Sequence, residues 1–124
     1  MQQDNIYAGV VIDQAHPSID RIFHYIIPDE IRAVMQPGMR VLVPFGPRNK
    51  MTEAYLMRID RNIEIEMNKL KPIKKALDPY PIIPPFFIPM IEWMKNEYHC
   101  MYIEAIHCFT PPGIRENIKK KYVK

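Results

Sequence analysis

The sequence predicts an α+β domain, a small strongly bent antiparallel sheet or partial β-barrel followed by short carboxy-terminal helices. Three observations predict it. The first half of the chain carries runs of β-branched and aromatic residues separated by proline and glycine turn signals. After Asp78 the texture changes, and apolar residues recur at three- and four-residue spacing. Strands therefore come first and helices after, an order that fits helices packed on a sheet rather than alternating βα units.

Each element has its own reason. Ile6 to Asp13 is dense in β-branched and aromatic residues and reads as a strand. Gln14 to Asp20, with Pro17 and Ser18, reads as a loop. Arg21 to Ile27 alternates loosely and reads as a second strand that Pro28 stops. Asp29 to Met35 fits a short helical turn. In Gln36-Pro37-Gly38 the proline presets φ and the glycine is free to take φ > 0, which marks a turn. Arg40 to Phe45 alternates as a third strand. Pro44 has no N–H to give, so that end belongs at an edge or a bulge. Gly46-Pro47-Arg48-Asn49 is a second turn, and Met51 to Asp60 a fourth strand. Residues 61–70 are ambiguous, and Lys71 to Ala76 fits a fifth strand. Pro84-Pro85 then precedes Phe87, Met90, Ile91, Met94 and Tyr98 at helical spacing. Prolines are tolerated there because first-turn N–H groups have no intrahelical partner. A second short helix fits Met101 to Phe109, stopped by Thr110-Pro111-Pro112-Gly113. Residues 1–113 are thus read as the domain and residues 114–124 as a basic linker.

At 124 residues, 48% apolar and 25% charged, the chain has the profile of one globular domain. Its longest charge-free apolar stretch, Pro79 to Ile91, is too short for a membrane span and is interrupted by four prolines. Met1-Gln2-Gln3-Asp4 has neither the basic nor the apolar region of a signal peptide. The expected setting is cytoplasmic, with no membrane partner. Cys100 and Cys108 form no CxxC arrangement and fit free thiols.

The net charge of +3 is unevenly placed. Residues 1–39 carry two basic and five acidic side chains, residues 40–75 nine and four, and residues 76–124 six and five. The basic excess lies mid-chain, where a phosphate partner would be drawn. A solvated surface explains the same charges.

Catalytic signals are missing from the sequence. None of the four glycines is close enough to another to build a GxxxxGK[ST] phosphate loop, and no GxSxG or HExxH string occurs. His99-Cys100 and His107-Cys108 invite a zinc reading, but adjacent residues on a helix point apart and the spacing matches no common structural zinc pattern. No metal is expected.

Five segments stand out in order: Arg21-Ile22-Phe23-His24-Tyr25 with Ile27-Pro28, Gln36 to Gly46, Lys69 to Ile73 with Leu77-Asp78, Trp93-Met94 with Tyr98, and Pro111-Pro112-Gly113-Ile114-Arg115. Together they resemble the amino-terminal DNA-binding domain of the primosomal protein N′ family, the replication-restart helicases. The resemblance covers about residues 5–115. Its most specific part is Pro37 to Gly46, read as PGxRVxVPFG, followed at this distance by Leu70-Lys71-Pro72-Ile73.

The resemblance implies a domain that captures the 3′ end of the nascent leading strand at a stalled fork. By itself the domain would not be an enzyme, and it would need no cofactor. The full-length helicase would use ATP, Mg and Zn, and would meet other primosome proteins and single-stranded DNA-binding protein. Its helicase lobes and zinc segment have no counterpart in this chain, which is therefore expected to be a fragment or a truncated product. The alternatives are a general single-stranded DNA binder and a protein-docking module built on Phe86 to Met94.

Carried over by motif, the DNA-binding positions are Phe23, His24, Gly46 and Lys71, with Tyr25 beside them. Phe23 and Tyr25 lie two apart on a strand and so share a face. One ring would support the terminal base; as core residues, both would simply pack. Gly46 would let the backbone approach the ligand, or would be only a turn glycine. Lys71, held extended by Pro72, would meet a phosphate, whereas Lys69, Lys74 and Lys75 read as solvated. The family pattern has an aspartate where this chain has His24. A carboxylate only accepts hydrogen bonds, but a neutral imidazole offers one acceptor and one donor.

Overall fold

The computed structural model describes residues 6–61 and 70–110. Five strands form one antiparallel sheet: β1 (Tyr7–Ile12), β2 (Phe23–Ile26), β3 (Arg40–Phe45), β4 (Lys50–Asp60) and β5 (Lys75–Ala76). Their order is β2-β1-β4-β3-β5; β2 and β3 are the edges of the four longer strands, and the two-residue β5 adds to the β3 edge. Two helices follow, α1 (Ile88–Tyr98) and α2 (Tyr102–Cys108), and this is the α+β order the sequence predicts. The strands begin and end within two residues of their expected limits, except at β5. The turn expected over Asp29 to Met35 is a single 3-10 turn, Asp29–Ile31. The proposed boundary between residues 113 and 114, and the linker beyond it, lie outside the described residues.

Both faces of the sheet are buried, which is why β1 is apolar at every position instead of alternating. One face holds the inner core, where Ala8, Val10 and Ile12 of β1 meet Tyr25, Ile27, Val41, Val43 and Leu56. The other face holds an outer core, where Val11, Tyr55 and Met57 pack against Ile83, Ile91, Ile103 and Ile106. Ile91 of α1 and Ile106 of α2 are fully buried there, each contributing roughly 1.5–3 kcal/mol by burial. Gly38 ties the segment before α1 to the sheet. Its N–H donates to Leu56 O, and its carbonyl accepts from Ile82 and Ile83. With φ at +98° and the Ile83 carbonyl oxygen standing where a Cβ would go, only glycine fits.

The expected fifth strand, Lys71 to Ala76, is a strap that hydrogen-bonds to both edges of the sheet. On β2, Ile26 N–H donates to Lys71 O and Ile26 O accepts from Ile73 N–H. On β3, Lys74 N–H donates to Leu42 O and Leu77 N–H to Arg40 O. Only Lys75–Ala76 pairs as a ladder, because the residues before it have crossed from the opposite edge. Asp78 ends the strap. Its carboxylate accepts from the Arg40 backbone N–H at 2.9 Å and from the guanidinium at 2.6 and 3.0 Å. Arg40 is 3% exposed and Asp78 8%, so the pair is dry and two-pronged.

Beyond the strap the two edge strands are joined by one side chain, since the Tyr25 hydroxyl donates to Pro44 O at 2.8 Å. Arg40, Leu42 and Pro44 share the outward register of β3. The N–H that Pro44 lacks therefore faces away from β4, and no ladder bond is lost. Burial pushes the Tyr25 phenol up to about 12 from its ordinary 10.0.

Two outcomes follow from this seam. Asp78→Ala leaves the Arg40 guanidinium buried without its anion, and urea unfolding should show a loss of about 3–5 kcal/mol. Asp78→Asn keeps an acceptor for the Arg40 N–H and should lose less. For Tyr25, folding holds the phenolic proton more tightly than the unfolded chain does. That contribution, roughly 2–3 kcal/mol at most, is complete below about pH 10 and is lost as pH rises toward about 12. Tyr25→Phe should cost about 1 kcal/mol at neutral pH and flatten the alkaline decline in melting temperature.

Candidate nucleic-acid interface

Where the strap does not reach, the seam between β2 and β3 stays open as a cleft of about 530 Å3. Its walls come from residues 21–25 of the β2 side, residues 44–47 at the end of β3, and Leu70 and Lys71 at the start of the strap. Phe23, His24, Tyr25, Gly46 and Lys71 all line it. Residues spread over nearly fifty positions are thus gathered by one feature, the seam.

Their contributions differ. Phe23 is half-buried and meets the Phe45 ring edge-on, with centroids 5.3 Å apart at 84°. Tyr25 is 5% exposed and belongs to the inner core, so it closes the floor through its hydroxyl bond to Pro44. The two rings share a face as expected, but one is wall and the other mostly core.

Gly46 has φ at +81° and begins the turn between β3 and β4, its carbonyl accepting from Asn49 N–H. A Cβ here would meet nothing within 4 Å. The glycine is required by its backbone angle, and the space in front of it is open. The same carbonyl accepts from Lys71 Nζ at 3.3 Å, which draws the half-buried ammonium across the cleft mouth. An ammonium has three donors, so Lys71 keeps others for a ligand.

His24 is placed differently from its neighbours. It stands opposite Gly9, and Gly9 stands opposite Arg58, so the imidazole lies on the outer face beside Arg58 and Asp60. Its Nε2 is buried, 3.4 Å from Asp60 Oδ2 and without an aligned hydrogen bond, while Asp60 Oδ2 accepts from Arg58 Nε. Its backbone is what faces the seam. Ile26 turns its N–H and carbonyl outward to the strap, and by the two-residue period His24 turns its own outward at the same free edge.

Arg21, Phe45, Leu70 and Pro47 also line the cleft and were not singled out from the sequence. Arg21 was legible in principle, because it lies two before Phe23. Its guanidinium carbon sits 4.5 Å from the Phe23 ring centroid. Among the described residues that line the cleft none is acidic, and Arg21 and Lys71 are basic.

The His-Cys pairs do not converge. His107 Nε2 lies 3.1 Å from Asp13 Oδ1 and Cys100 Sγ donates to Met94 O. Among the described residues no group of three or more His, Cys, Asp or Glu side chains is placed to hold a metal ion. No helix among them is long and apolar enough to cross a membrane. In the Phe86 to Met94 region, Phe86, Met90 and Trp93 are exposed, and Trp93 meets Tyr98 edge-on.

Comparison with known proteins gives a family. The family described as 3′DNA-binding domain (3′BD), PriA_3primeBD, matches residues 9–111. The chain is 26% identical over 115 residues to the replication restart protein PriA of Bacillus subtilis, covering 93% of this chain and 14% of that protein. It is 34% identical over 97 residues to the PriA of Haemophilus influenzae, covering 78% of this chain and 13% of that protein. The PriA of Buchnera aphidicola is 24% identical over 107 residues, covering 85% and 14%. The chain therefore spans about one seventh of the length of these relatives.

Proposed function

Because the chain belongs to the family of PriA 3′ DNA-binding domains, we propose that its seam cleft receives the 3′-terminal nucleotide of a DNA strand. The observation that carries this reading is the convergence of Phe23, His24, Gly46 and Lys71 on one cleft whose described lining holds no carboxylate. Its volume lies within the range that takes a ligand of nucleotide size. Lys71 meets a phosphate, and the wall built on Phe23 and Phe45 backs the side of the cleft on which the base lies. The outward N–H and carbonyl of His24 offer one donor and one acceptor to sugar or base. On this reading the imidazole makes no contact with DNA, which is why a histidine can stand where the family pattern has an aspartate. Within a longer helicase such a domain orients the molecule at a stalled fork by holding the nascent leading-strand end.

A second reading, a surface for docking protein, draws on the exposed Phe86, Met90 and Trp93. It predicts no DNA binding by the domain at physiological salt.

Titration against single strands with a free 3′-hydroxyl, with a 3′-phosphate, and with only 5′ ends exposed separates these readings. The proposal expects the free hydroxyl to bind best, and equal affinity for all three would overturn it. Lys71→Ala should weaken binding and lower the slope of log affinity against log salt by about 0.7, one phosphate contact on a single strand. His24→Ala should change affinity less than Lys71→Ala does, and a larger loss would place the imidazole in the site.

A further inference from the structure

We propose that the surface on which the terminal base stacks is the guanidinium of Arg21, with the Phe23 ring beneath it. This rests on the end-binding reading and deepens it. The Phe23 ring is not free to act alone. It packs against the inner core and takes Phe45 edge-on. The side turned to the cleft carries Arg21, whose guanidinium carbon is 4.5 Å from the ring centroid. A base stacking directly on Phe23 would first have to displace that cation.

Arg21 has the properties of a platform. It is exposed and lines the cleft. Among the described residues no carboxylate pairs with its guanidinium. A guanidinium is planar and weakly hydrated, and it stacks on aromatic rings with one face while the other stays available. Nucleobases stack on arginine planes as they do on aromatic rings. The result is a three-layer stack of base, guanidinium and Phe23. The phenyl ring sets the tilt of the cation, and Phe45 fixes the phenyl ring. Every base has a π-face, so such a platform holds any terminal base and carries little sequence preference.

A salt contact from Arg21 to a phosphate is the competing role, and a thermodynamic cycle separates the two. Lysine keeps the charge and loses the plane. Binding of the 124-residue chain and its Arg21→Lys variant is measured on two single strands. One has an intact 3′-terminal nucleotide, and the other has a 3′-terminal nucleotide that lacks its base. Stacking predicts that Arg21→Lys loses about tenfold in affinity on the intact strand and less than about twofold on the strand without the terminal base. An equal loss on both strands, or no loss on either, overturns the platform. Because Arg21 is exposed, the melting temperature of the variant should match that of the parent chain. The parent chain is read first against a 3′-phosphate strand. If it ignores the block, end capture itself fails and the platform fails with it. If it is end-selective but the cycle shows no coupling, only the platform fails.

Discussion

The structure depends on how the open edges of its sheet are satisfied. The four longer strands, in the order β2-β1-β4-β3, leave two edges, β2 and β3, each with a row of main-chain groups that need partners. Here one short segment, Lys71 to Leu77, serves β2 with its first residues and β3 with its last. The Arg40–Asp78 pair anchors the far end of that strap in a dry site. A buried ion pair is not strong evidence of stability, because desolvation offsets much of its attraction. Its value here is positional. The carboxylate also accepts the Arg40 backbone N–H, so register, strap and charge pair are fixed by one side chain.

The cleft is the part of that seam left open, and its geometry follows from the strap. Lys71 is the strap's first described contact with β2 and is also the residue whose ammonium crosses to Gly46. The seam therefore sets the distance between a cation on one wall and a turn carbonyl on the other. Tyr25 fixes the depth, since its bond to Pro44 prevents the edges from parting further at the floor. Pro44 is suited to its place because the main-chain donor it lacks would have pointed into the gap. A residue that terminates β3 pairing toward the strap also helps make the site.

The five-segment resemblance and the strand-then-helix order were legible because they rest on local chemistry. Pro37-Gly38 and Gly46-Pro47 demand particular backbone angles, and both glycines adopt positive φ. What was not legible is long-range pairing. Arg40 and Asp78 both lie in recognisable segments, yet nothing in their spacing joins residues thirty-eight apart. Lys71 to Ala76 read as one strand, and local pattern alone cannot say that the chain changes partner between Ile73 and Lys74. His24 shows the same limit at one residue. Its place in the motif was evident, but which face its ring takes depends on the β1–β2 register. Arg21 was missed for a different reason. Two-residue periodicity put it beside Phe23, but an exposed arginine before a strand reads as ordinary surface until the aromatic ring appears beneath it.

Charge and shape have separate tasks in the proposed function. On that reading Lys71, the one mid-chain cation among the described residues that lines the cleft, attracts phosphate, but every phosphate along a strand is equivalent to a cation. Electrostatics alone would bind the middle of a strand as readily as its terminus. Selectivity for an end has to come from something that a continuing strand cannot satisfy. The seam provides this because it is bounded, with the strap at one side and the Tyr25–Pro44 contact at its floor. On the proposed reading, a strand that continued past the bound nucleotide in the direction of the strap or of the floor would meet one of them. Both are held by backbone bonds or a buried hydroxyl bond rather than by mobile surface side chains. The same closure that stabilises the sheet is thus the feature that would distinguish a strand end from its interior.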